Sequence, residues 1–205
     1  MSKQNKKIAK FYKEGTSLFA EQQYEKSLKS WQQILELEPN NHRVYVYLGM
    51  AYFHLQRYEE SVNAYEKAIE IEPSYSKAYN NLGNAYRKRG RFVQAVNAYQ
   101  KAIDLDPENT SYRYNLGITY YDVNEHQQAI NEFKRALEVE NMDGEIRKDL
   151  VNAYYRLGSY QEALDCLHEY LELVPNPSDY VEIRARISLL KTSIRGIDVI
   201  NSIGN

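Results

Sequence analysis

Cys166 and His168 are the residues of this 205-residue chain best suited to nucleophilic chemistry, a thiol and a base that could deprotonate it. They stand two positions apart. On a helix that spacing turns the side chains in different directions, so they do not form a working pair. A metal site has no better footing. No two of His42, His54, His126 and His168 stand within five residues of each other, and there is no Cys-x-x-Cys. No glycine-rich phosphate loop and no Ser/His/Asp arrangement occurs. The expectation is a protein that is not an enzyme and needs no metal or cofactor, so its chemistry is to be sought in groups that bind.

Composition narrows the binding classes. Charged residues make up 26% of the chain and hydrophobic ones 43%, a folded, water-compatible composition. The net charge is −2, without the basic excess that neutralises phosphates, so nucleic acid is not the expected partner. A single cysteine cannot make an internal disulfide, which fits a reducing compartment. The start, Met1 to Ile8, is basic but lacks the apolar stretch of a secretory signal. No apolar run approaches the roughly 20 residues of a membrane helix. The expected location is cytoplasmic, without membrane insertion.

The chain is internally periodic. Pro39, Pro73 and Pro107 are 34 residues apart and Pro175 lies two periods further on, with Asn141 in the skipped place. The same period links Gly15, Gly49, Gly83 and Gly117, a row continued by Val151. It also links Trp31, Tyr65, Tyr99, Phe133 and Leu167, and the small residues Ser27, Ser61, Ala95, Ala129 and Ala163. Within the second repeat, Tyr45, Leu48 and Tyr52 keep helical spacing, and Val62, Tyr65 and Ile69 resume it after a break at Leu55–Tyr58. Each repeat therefore reads as two antiparallel helices of about 14 residues, about 21 Å long. Small rows let the two backbones approach, and large rows fill the space beside them. Proline stops the second helix by steering the preceding residue out of the α region.

These rows resemble the tetratricopeptide repeat (TPR) family. The third repeat reads Tyr79, Leu82-Gly83, Tyr86, Ala95, Tyr99, Ala102 and Pro107. The second reads Tyr45, Leu48-Gly49, Tyr52, Ser61, Tyr65, Ala68 and Pro73. The resemblance implies an all-α, right-handed superhelical solenoid of helix hairpins. Its expected divisions are an extension at 1–7, repeats at 8–41, 42–75, 76–109, 110–143 and 144–177, a capping helix at 178–195 and a tail at 196–205. Arg113 and Arg147 replace an aromatic residue, and at the internal Arg113 a looser or modified contact is expected. Asn176 and Pro177 suit the start of the capping helix. Val181, Ile183, Ile187, Leu190 and Ile194 suit its covered face, and Gly196 its end.

In TPR proteins the first helix of each repeat lines a concave groove. The resemblance therefore assigns a peptide-binding groove to Lys77, Asn80, Asn81, Asn84, Arg87, Lys88, Asn115 and Asn152. It adds Tyr47, Met50, Phe53, Tyr114, Ile118 and Tyr121 as surrounding pockets or packing. An asparagine amide both donates and accepts, so it can pair with an extended peptide backbone. The chaperone-binding branch of the family resembles a carboxylate clamp, but the residues in its final basic places here are Glu145 and Asp149. A chaperone's acidic C-terminus is thus disfavoured as partner. The expected function is a protein-interaction scaffold. Self-assembly into a homo-oligomer through the apolar tail from Ile197 is the alternative.

Overall fold

The computed structural model describes residues 2–139, 144–175 and 177–203, with side chains as far as Ile197. Among the described residues there are eleven helices. They are α1 Lys3–Ala20, α2 Tyr24–Leu35, α3 His42–His54, α4 Tyr58–Ile71, α5 Ser76–Lys88 and α6 Phe92–Leu105. They continue as α7 Thr110–Asp122, α8 His126–Val139, α9 Gly144–Leu157, α10 Tyr160–Leu173 and α11 Tyr180–Ile203. The chain divides into two compact bodies, residues 1–107 and 108–205. In the first, α1/α2, α3/α4 and α5/α6 are hairpins, with α2 packed on α3 and α4 on α5. In the second, α7/α8 and α9/α10 are hairpins, α8 packs on α9, and α11 closes against α10.

The turns inside the hairpins carry the period in their backbone angles. Gln22, Gln56, Gly90, Asn124 and Gly158 all have positive φ, between 60° and 81°. Glycine does this without steric penalty, and Gln22 and Gln56 do it against one. The joints between repeats follow the prolines. Glu72, Asp106 and Val174 precede Pro73, Pro107 and Pro175, and all three are extended, with φ of −132°, −150° and −127°. That is the restriction a following proline imposes. Asn141 and Asn176 lie outside the described residues.

Inside each hairpin the decisive contact is a glycine under a ring. A Cβ added to Gly15, Gly49, Gly83 or Gly117 would stand 2.5–2.8 Å from the ring of Trp31, Tyr65, Tyr99 or Phe133, respectively. Those rings are at most 2% exposed. The fifth hairpin changes both partners together: Val151 and Leu167, both buried, occupy the corresponding places. A smaller side chain on α10 makes room for a larger one on α9. Ser61 adds a polar tie in the second hairpin, donating its hydroxyl to the Gly49 carbonyl at 2.8 Å.

The arginines that replace aromatics also change in pairs. Ala64 and Ala98 stand 19 residues after Tyr45 and Tyr79, whereas Glu132 and Cys166 stand 19 after Arg113 and Arg147. Glu132 is only 8% exposed and accepts from Arg113 at 3.4 Å and from Arg135 at 3.0 Å. Arg147, 4% exposed, faces Glu169 at 3.7 Å. The contact expected to loosen at Arg113 is a buried ion pair.

Both ends of the chain differ from the expected divisions. Helix α1 begins at Lys3, capped by Ser2, whose hydroxyl accepts from the Asn5 amide at 3.1 Å, so most of the extension at 1–7 is helical. Helix α11 runs through Gly196 to Ile203 instead of ending there. One interior glycine costs a helix only about 1 kcal/mol, less than continued helical bonding returns. Ile183, Ile187 and Leu190 are buried, but Val181, expected on the same face, is 82% exposed. The buried row of α9, Ile146, Leu150 and Ala153, recurs in α11 after 37 positions, not 34, which rotates Val181 outward.

Candidate functional site

The first helices of successive repeats touch within each body, α3 with α5 and α7 with α9. These four helices carry all the residues assigned to the groove, and the two bodies use those residues differently.

In residues 1–107 the face gathers around a cavity of about 170 Å³. Met50, Phe53 and His54 of α3, Tyr65 of α4, and Asn81 and Asn84 of α5 line it. Four of the six were expected in the groove. Asn84 accepts the Tyr99 hydroxyl at 2.7 Å, which fixes its carbonyl oxygen inward. Asn80 donates weakly to the Asn81 oxygen at 3.4 Å. The side-chain nitrogens of Asn81 and Asn84 donate to no protein atom among the described residues, so each offers hydrogens to a ligand. Lys77 and Lys88 are exposed at the ends of α5, and Arg87 is half-buried between Asn84 and Lys88 in helical register. Tyr47 is turned to packing: its ring stacks on Trp31 at 4.5 Å and 11°.

His54 and Tyr65 joined this cavity without being expected there. His54 stacks on Tyr24 at 4.7 Å and 8° and meets Phe19 and Phe53 edge-on, an aromatic cluster built from three helices. Burial, its largest influence, drives the Tyr65 hydroxyl well above the usual tyrosine range, so it is neutral at every physiological pH. It is a wall of the cavity and takes no part in proton transfer.

In residues 108–205 the same rows are tied to one another. Tyr114 donates to Asp149 at 2.8 Å and its ring meets Phe133 at 5.9 Å. Arg186 of α11 donates to the Asn152 oxygen, and Asn152 approaches Asp149. Lys148 pairs with Asp179 at 2.6 Å, and this bond holds the Asp179 carboxyl below its ordinary pKa. Tyr121 lies against His126 and accepts from Arg156 at 3.4 Å. Ile118 packs on the core, and the Asn115 carbonyl accepts from Thr119 at 2.8 Å. Arg186 carries no repeat signal in the sequence, because α11 is offset by three residues from the repeat register.

A separate cavity of about 550 Å³ lies between α8, α9 and α10, with Arg147, Leu150, Tyr154 and Cys166 in its wall. Burial pushes the Cys166 thiol above its usual pKa and outweighs the lowering by Arg147, so the reactive thiolate is suppressed. Among the described residues no cluster of three or more His, Cys, Asp or Glu could hold a metal ion. Nor, among them, is any helix long and apolar enough to cross a membrane.

This geometry, a glycine-over-ring hairpin repeated every 34 residues, meets its counterpart among known families. A family described as TPR repeat matches residues 49–88 and 83–124, and one described as tetratricopeptide repeat matches residues 121–187. The chain belongs to the tetratricopeptide repeat family. The first hairpin precedes those matches and carries the same contact through Gly15 and Trp31. No curated protein matches the TPR chain in sequence. Similar solved structures include MamA from Desulfovibrio magneticus RS-1, at 17% identity and a TM-score of 0.73, covering 82% of this chain and 94% of that one. A thermophilic TPR protein of Thermus thermophilus is similar at 22% identity and 0.63, covering 90% and 99%. For pilF of Pseudomonas aeruginosa the figures are 14% and 0.74, covering 96% and 94%. At these identities the likeness is one of fold. TPR proteins typically serve as scaffolds that bind other proteins and are generally non-catalytic.

Proposed function

We propose that this TPR protein is a non-catalytic interaction module that holds an extended segment of another protein on the first-helix face of residues 1–107. The observation that supports the reading is that Asn81 and Asn84, whose side-chain nitrogens donate to nothing among the described residues, both line a side-chain-sized cavity. Each hydrogen bond to a peptide carbonyl contributes about 0.5–1.5 kcal/mol net. In the second body Asn152, two periods after Asn84, is engaged by Arg186 and serves structure. The test compares the two bodies. Captured partners are identified by mass spectrometry with wild-type bait, and affinity is then measured for Asn81→Ala and Asn152→Ala. Asn81→Ala should weaken binding roughly tenfold with an unchanged melting temperature. Asn152→Ala should lower the melting temperature and leave affinity alone. Equal affinities for wild type and Asn81→Ala would remove this face from the account.

A second reading, self-association, draws on α11. Val181, Leu189 and Ile197 are 82%, 55% and 41% exposed on that helix. Sedimentation of the full chain against Val181→Glu/Leu189→Glu decides it, since a monomer in both cases excludes this surface.

A further inference from the structure

The chemistry of the bound segment is written in the charges of that face. We propose that the first-helix face of residues 1–107 recognises an internal acidic segment carrying one aliphatic side chain, with carboxylates about two residues to either side of it. The proposal rests on the reading of this face as a binding surface and adds what it binds.

The charge pattern is one-signed. The rows of α1, α3 and α5 that share this face contain Lys13, Arg43, Lys77, Arg87 and Lys88, and no Asp or Glu. Off this face some cations of the same body have an acid beside them: Arg57 pairs with Glu60 at 2.8 Å, Lys67 with Glu70 at 2.5 Å, and Arg89 with Glu59. Lys13, Arg43, Lys77 and Lys88 form no ion pair among the described residues. Glu38 shares a loop cleft with Arg43, but its carboxylate accepts the Asn41 amide at 2.8 Å. Cations gathered on one face, with no acid among them, attract an acidic partner and repel a basic one.

Size and spacing set the rest. A cavity of about 170 Å³ is small beside the roughly 300–1,000 Å³ of cofactor and drug sites. Walled by Met50, Phe53 and Tyr65, it suits a single leucine-sized side chain. From Lys77 to Lys88 the helix rises about 16 Å at 1.5 Å per residue. In an extended chain at about 3.3 Å per residue, residues two places to either side of a central one stand about 13 Å apart, and the flexible lysine side chains reach the remainder. A segment running along α5 thus places its aliphatic residue at Asn81 and Asn84. Its carboxylates then lie near Lys77 at one end and near Lys88 at the other.

The test uses the full chain and fluorescence anisotropy with labelled Gly/Ser nonapeptides, capped at both ends. The probe peptide has a central leucine and an aspartate two residues to either side. Comparison peptides replace both aspartates with lysine, replace leucine with serine, or leave the C-terminus uncapped. The acidic leucine peptide should bind at least roughly tenfold tighter than the lysine version, and lose that advantage as salt rises. Serine for leucine should weaken it roughly fivefold or more. Removing the C-terminal cap should change nothing, because the carboxylates recognised are internal. Lys77→Glu/Lys88→Glu, both at exposed positions, should reverse the charge preference with an unchanged melting curve. Equal binding of acidic and basic peptides overturns the acidic assignment, as does no binding by any of them. A tenfold gain from the uncapped terminus overturns the internal one. If binding ignores charge yet falls with Asn81→Ala, the acidic proposal fails while the face stands. If binding also ignores Asn81→Ala, both fail.

Discussion

The two bodies repeat one chain trace with different means of cohesion. In residues 1–107 all three hairpins are joined by rings over glycines, with Tyr47 stacked on Trp31, and on the first-helix face the side-chain nitrogens of Asn81 and Asn84 donate to no protein atom among the described residues. In residues 108–205 the aromatic places at 113 and 147 hold arginines, Glu132 is buried between two of the chain's own cations, and the first-helix face is crossed by Tyr114–Asp149, Lys148–Asp179 and Arg186–Asn152 contacts. The difference teaches that a repeat position has no fixed role. The same row leaves an amide nitrogen unused where no neighbouring helix reaches it, and supports the fold where one does.

The glycine-over-ring contact breaks the comparison most sharply. Gly117→Val drives a side chain into the Phe133 ring and should cost about 3 kcal/mol in urea unfolding. Adding Phe133→Leu recreates the Val151/Leu167 pair of the fifth hairpin and should recover much of that loss. A double-mutant cycle showing simple additivity would mean the two residues do not compensate.

The buried ion pair comes next. Arg113→Ala strands much of the Glu132 charge and should destabilise by about 2 kcal/mol, since Arg135 still compensates in part. Arg113→Tyr with Glu132→Ala imports the Tyr79/Ala98 solution of the third repeat and should leave stability within about 1 kcal/mol of wild type or above it. A large loss in that double variant would show that the second body needs its ion pair in a way the first does not.

Two smaller effects follow. Gln56→Gly should raise stability by roughly 0.5–1 kcal/mol by relieving a left-handed backbone, and Gly90→Ala should lower it by a similar amount, although no atom obstructs the added Cβ. The Lys148–Asp179 pair contributes less than about 1 kcal/mol, because it is partly exposed. Asp179 has a depressed folded pKa, so its contribution is complete above the unfolded value near about 3.9 and is lost as pH falls through the folded one. The stability gap between wild type and Lys148→Met should therefore begin to shrink below about pH 4 and be gone below the folded pKa of Asp179, and a gap that does not shrink with acid would assign the effect to packing.

Much of the fold was legible because helical period, proline restriction and repeat length are local or additive along the chain. Gly83 and Tyr99 were visible as rows, and the contact between them follows once the hairpin is drawn. The exchange of Tyr and Ala for Arg113 and Glu132 is also present in the sequence, as two departures 19 residues apart, but that the two meet depends on how α7 packs on α8. Helix α11 was misjudged at both ends: one glycine is too weak a signal to stop a helix, and the three-residue offset hides which face is covered.

By itself the sequence determined the 34-residue repeat, the helix hairpins, their joints and the family, since each depends on residue types at fixed separations. Only the tertiary structure decided which asparagines are engaged by another helix. Asn81 and Asn152 are the same residue type on equivalent helices, and what separates them is Arg186, delivered from a helix outside the repeat register. Whether an amide is spent or available depends on what packs beside it, and that is set by contacts between helices distant in the chain.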